Sequence, residues 1–114
     1  MTNQQFYTAV SEAAKYSDRV AYISDLALSS MWGDAPDAEI HAERIDALGQ
    51  IYDATHRTIK DIAEACGTSV RQLALRYAIP RRTTENWSRW PDTAPLHALL
   101  MIQQCEGLLT VRRD

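Results

Sequence analysis

Cysteine is scarce in this chain. Cys66 and Cys105, two residues among 114, are too few for a disulfide framework or a four-ligand zinc set. Both read as small buried side chains in a reducing compartment. Long apolar runs are missing as well. The longest, residues 20–32, is shorter than the ~20 residues that cross a bilayer and carries Asp25 in its middle, where hydrocarbon rejects charge; no membrane partner is expected. The opening Met1-Thr2-Asn3-Gln4-Gln5 has neither the basic nor the apolar region of a secretory signal, so the expected location is cytoplasmic. No period-two alternation bounded by turn residues argues for strands. Internal repeats and low-complexity segments are absent too. His41, His56 and His97 lie far apart without metal-ligand spacing, and no nucleophile elbow, phosphate loop or zincin motif accompanies them. No catalysis, metal or cofactor is expected.

What is present describes a folded chain. Hydrophobic residues make up 46% and charged ones 24%, whereas a disordered segment is poorer in apolar residues and richer in charge. The length suits a single domain spanning residues 1–114. The formal charge of −3 hides an asymmetry. Residues 1–67 hold five basic groups against eleven acidic ones, a net −6, while residues 68–114 hold seven arginines against four acids, a net +3. Arg71, Arg76, Arg81, Arg82 and Arg89 all fall between residues 68 and 90, where Glu85 is the only acid. A polyanion is drawn to such a patch even on an acidic protein.

The apolar spacing predicts an all-α protein, a bundle of about seven helices. Phe6, Val10 and Ala13 mark a first helix over residues 3 to about 16. A second, over 18–31, is capped by Asp18 and apolar nearly all round (Val20, Tyr22, Ile23, Leu26, Leu28, Met31), so it needs cover from its own domain or from a second subunit. After the break at Gly33-Asp34-Ala35-Pro36, a third helix capped by Asp37 runs to about residue 55 with Ile45, Leu48, Ile51 and Tyr52 inward. Residues 1–57 thus form a helical platform. Thr58 and Asp61 have capping-box spacing and Gly67 suits a C-terminal stop, giving a fourth helix over 58–66. Ser69 and Gln72 form a second box opening a fifth helix over 70–77. Pro80 sits at the first position of a sixth, which ends before Pro91. A seventh covers about 94–106 and closes at Gly107; the last residues, 111–114, are expected to fray.

The fifth and sixth helices are short and joined by about three residues, and the sixth begins with long polar side chains. That is the pattern of a helix-turn-helix. Ala74 allows close approach, Ile79 plugs the link into the core, and Trp87 anchors the sixth helix; Trp32 and Trp90 also read as packing residues. Arg81, Arg82, Glu85, Asn86 and Arg89 are left pointing outward. Arginine makes bidentate contacts to guanine and asparagine to adenine in a major groove that admits an α-helix. The run IKDIAEACGTSVRQLALRYAIPRRTTENW, residues 59–87, resembles the phage-repressor type of helix-turn-helix, the Cro/Xre superfamily. The resemblance covers residues 58–109. It rests on Gly67, Thr68 and Ser69, on Leu73 and Ala74, on Ile79, and on Arg82, Thr83 and Trp87.

The resemblance implies base contacts from Arg81, Arg82, Glu85 and Asn86 and phosphate contacts from Ser69, Thr83 and Arg89. It implies double-stranded DNA as partner and a bacterial or phage transcriptional regulator as function. One short helix reads few base pairs, so a homodimer is expected. Val70, Ala78, Thr84 and Trp90 depart from the family pattern: Val70 replaces a frequent glutamine, Ala78 stands where glycine is usual, and Trp90 replaces a glycine. A positive φ at Ala78 would cost of order 1 kcal/mol. Thr84 stands where an apolar residue normally enters the core. Val70, Trp90 and the acidic first half motivate a second reading: a protein-interaction module, such as an antitoxin-like partner or a mobile-element inhibitor, on the same scaffold.

Overall fold

A computed structural model describes all 114 residues as helices joined by turns and extended links, with no strand. The α-helices, in order, are α1 (Asn3–Ala13), α2 (Arg19–Ala27), α3 (Ala38–His56), α4 (Ile59–Ala65), α5 (Val70–Arg76), α6 (Arg81–Arg89) and α7 (Leu96–Cys105). Single 3-10 turns occupy Ser30–Trp32 and Pro91–Thr93. The chain divides into two compact units, one of residues 1–55 with 110–114 and one of residues 56–109.

In the first unit α1 opens with a capping box, the Thr2 hydroxyl accepting from Gln5 N–H and the Gln5 side chain accepting from Thr2 N–H. Phe6, Ala9 and Ala13 are buried on its inner face. From α2 only Tyr22, Leu26 and Ala27 are buried, and the Tyr22 hydroxyl donates to Ala9 O at 2.8 Å. The second helix is shorter than its apolar run predicts. Leu26 O accepts from Ser29 N–H (3.1 Å), Ser29 Oγ (2.9 Å) and Trp32 Nε1 (2.8 Å), so its carbonyl is fully satisfied at the helix end and the chain turns away. Val20 and Leu28 are left 69% and 72% exposed. Asp37 caps α3 as expected, accepting from Ile40 N–H. Leu48, Ile51 and Tyr52 are buried, but Ile45 is exposed rather than inward. Arg19 and Asp53 tie α2 to α3 through paired hydrogen bonds of 2.9 and 3.3 Å.

The tail does not fray. Gln50 Oε1 accepts from both the backbone N–H and the hydroxyl of Thr110, the Met1 ammonium donates to Arg112 O, Asp114 N–H donates to Met1 O, and Arg113 lies over the Phe6 ring at 4.3 Å. Sequence periodicity cannot report pairing across more than a hundred residues.

The second unit has its own core of Ile59, Ile62, Ala63, Leu73, Trp87, Leu99 and Ile102, with Val70, Tyr77 and Ile79 packed against it. Thr58 and Asp61 make the full reciprocal box that opens α4. Ser69 does so only by half: its hydroxyl accepts from Gln72 N–H at 3.1 Å, without the return bond from the Gln72 side chain. Pro80 is the residue before α6 rather than its first, with φ −55 and a non-helical ψ of 136. Helix α7 starts later than expected because the 3-10 turn Pro91–Thr93 and Pro95 intervene. The two thiols are less hidden than predicted: Cys66 is half-buried and Cys105, at the end of α7, is exposed. Burial and the neighbouring Glu106 carboxylate push the Cys66 thiol pKa up.

Helices α4, α5 and α7 end alike. Thr68 N–H reaches back to Ala63 O, Ile79 N–H to Ala74 O, and Leu108 N–H to Gln103 O, each a six-to-one bond that satisfies a terminal carbonyl. The residue before each donor is left-handed: Gly67 at φ 67, Ala78 at φ 53 and Gly107 at φ 79. Ala78 is the only non-glycine residue in the chain with positive φ.

Candidate nucleic-acid interface

Helix α6 is held by two buried side chains three residues apart, Thr84 and Trp87. Thr84 enters the core without an unsatisfied hydroxyl, because Oγ1 donates to Arg81 O at 3.0 Å; this back-bond answers the polar residue at an apolar position. Trp87, 8% exposed, packs among Ile59, Ile62, Leu73 and Leu99. With those two inward, Arg81, Arg82, Glu85, Asn86 and Arg89 are all exposed and Thr83 is half-buried. Ser69, capping α5, is exposed, and its acceptor capacity is partly spent on Gln72.

The outward residues divide between two depressions on either side of α6. One, with a volume of about 600 Å³, is lined by Lys60 of α4, Val70 and Arg71 of α5, and Arg81, Thr84, Glu85, Ser88 and Arg89 of α6. The other, of about 340 Å³, is lined by Thr83, Asn86, Trp87, Trp90 and Thr93. Arg82 borders neither. The expected base-contacting set is therefore split, Arg81 and Glu85 on one flank and Asn86 on the other.

Charge separates the two flanks. The larger cleft holds four cationic side chains and one carboxylate, Glu85, which pairs with Arg81 Nε at 2.8 Å, one turn apart on α6. Lys60, Arg71 and Arg89 have no acidic partner, and neither has Arg82. Arg76, by contrast, is spent on an ion pair with Glu106. Of the five arginines in the basic window, four thus surround α6 and one clips α5 to the end of α7. Guanidinium and ammonium groups left without carboxylates suit phosphate oxygens.

Two charged residues of the cleft lie outside the set expected from sequence, Lys60 and Arg71. Arg71 belongs to the basic window, so charge clustering marked it. Lys60 carries no local signal, because only the meeting of α4, α5 and α6 brings it to the cleft. Trp90 corrects the packing expectation: it is 54% exposed, with the Arg89 guanidinium 5.3 Å from its ring centre. Its backbone N–H closes α6 by donating to Asn86 O, and the following Pro91 turn carries the chain away, so no core receives the indole. No family model, curated protein or solved structure matches this chain.

Proposed function

We propose that this protein binds double-stranded DNA sequence-specifically, with α6 in the major groove, as a transcriptional regulator of the bacterial or phage Cro/Xre type. One observation carries the reading: α6 is pinned by Thr84 and Trp87 so that its whole free face is Arg81, Arg82, Glu85, Asn86 and Arg89. A helix fits the major groove, and arginine and asparagine are the side chains that read guanine and adenine there. Arg82 and Asn86, i and i+4 on that face, are the leading base readers. Thr83, Ser69 and Arg89 are the phosphate contacts that the family resemblance assigns. Two copies reading half-sites about one helical turn apart supply the specificity that one short helix lacks.

The test is selection from a pool of random duplexes at low and moderate salt. Enrichment of a two-fold symmetric site is the expected result. Arg82→Ala and Asn86→Ala each cost roughly 1 to 3 kcal/mol on that site and relax one base position. Selection without enrichment at either salt would sink the reading. The second reading, a protein-binding module on the same scaffold, is favoured by the exposed Trp90 beside Asn86 and Thr93, since aromatic residues anchor protein interfaces. It predicts binding that responds weakly to salt.

A further inference from the structure

The cleft on the α4 side of α6 carries more positive charge than base reading needs. It joins Lys60 from the first turn of α4 and Arg71 from the first turn of α5 to Arg81 and Arg89 at the two ends of α6, in a space of about 600 Å³. The side chains come from three helices, so their convergence is a property of the fold rather than of one charged helix face. Glu85, the single carboxylate, is engaged with Arg81 Nε, which leaves the terminal guanidinium nitrogens of Arg81 free to donate elsewhere. Ser88 adds a half-buried hydroxyl to the wall.

Resting on the DNA-binding reading, we infer that this cleft seats a stretch of the DNA sugar-phosphate backbone, with Lys60 and Arg71 as phosphate contacts, and that Arg81 serves the backbone rather than a base. Arg81 and Arg89 stand eight residues apart, about 12 Å along the helix axis, so the two guanidinium groups enter the cleft from its opposite ends. Four cations from three helices, set around the cleft in this way, suit more than one phosphodiester. Base reading falls to Arg82 and Asn86, which lie outside it. The four cations outnumber Glu85, and the cleft's order of recognition is charge and spacing, not base identity. Such contacts fix where the protein lies on the duplex and carry no sequence information of their own.

The test measures duplex affinity across a salt series for the full chain, Lys60→Gln/Arg71→Gln and Asn86→Ala, on the selected duplex and on one of unrelated sequence. Both cleft residues are exposed, and an unchanged thermal melt verifies the fold of each variant. Each phosphate contact contributes about 0.9 to the log-log salt slope. The double variant is expected to weaken both duplexes alike and flatten the slope by about 1.8, while Asn86→Ala keeps the slope and loses preference between duplexes. An unchanged slope in the double variant, with preference still lost in Asn86→Ala, would overturn the cleft assignment and leave the DNA reading standing. No duplex binding by the unaltered chain at low salt would overturn both.

Discussion

At Ala78 the backbone sets the energetic question. The three helix ends share one hydrogen-bond pattern, and at two of them the left-handed residue is glycine, which adopts φ near +60° at no steric cost. Ala78 adopts φ 53 with a Cβ in place, and the cost is of order 1 kcal/mol. The link tolerates it because the residues on either side are well held: Tyr77 and Ile79 pack against the core of the second unit, and Ile79 N–H donates to Ala74 O at 2.8 Å. Ala78→Gly is therefore expected to stabilise the protein by about 1 kcal/mol, somewhat less once the greater freedom of glycine in the unfolded chain is counted. A thermal melt should show a midpoint several degrees higher. A lower midpoint would mean that unfolded-state entropy outweighs relief of the left-handed conformation. Ala78 is legible in the sequence as an alanine in a tight interhelical link that favours glycine, while its φ of 53 belongs to the six-to-one bond from Ile79 N–H to Ala74 O that closes α5.

The helices of the second unit are joined by a polar clip as well as by their core. Glu106, just past α7, accepts from the Tyr77 hydroxyl at 2.7 Å and pairs with Arg76, so the end of α5 is tied to the end of α7. Burial and the adjacent Glu106 carboxylate push the Tyr77 pKa from its ordinary 10.0 up to about 12. The neutral phenol is the form the fold favours, so this contribution is fully present below pH 10 and is lost as pH rises toward 12. Tyr77→Phe is expected to cost about 1 kcal/mol at neutral pH. The gap between it and the unaltered protein should close across that alkaline window, as followed by denaturant unfolding at stepped pH; a gap that stays constant to pH 12 would show that the hydroxyl does not hold α7. The helices themselves were legible from sequence because capping boxes, Pro80 and the helix-ending glycines act within a few residues. The features that escaped depend on distant partners. Trp32 satisfying Leu26 O shortens α2, Met1 and Gln50 hold the tail, and Lys60 reaches the cleft only when three helices meet.

Charge is segregated between the two units of the molecule. The unit of residues 1–55 and 110–114 carries five basic and ten acidic side chains, and the unit of residues 56–109 carries seven basic and five acidic ones. The acids of the first unit include Glu39, Glu43 and Asp46, three exposed residues on α3. Net charge and local contacts enter DNA binding differently. The salt slope counts phosphates neutralised at the interface, whereas distant charge acts through a long-range potential that salt screens beyond about 8 to 10 Å at physiological ionic strength. If the interface is confined to the second unit, neutralising acids of the first must leave the count of phosphate contacts alone. The variant Glu39→Gln/Glu43→Gln/Asp46→Asn, which raises the formal charge by three, is expected to retain the salt slope of the unaltered protein. Its association rate at low salt should rise, because repulsion from the approaching polyanion is reduced, and the difference should vanish as salt increases. Stopped-flow association measured beside equilibrium titration separates the two effects. A slope altered by 0.9 or more, the value of one phosphate contact, would place α3 at the DNA and refute an interface built on α6 and its cleft alone.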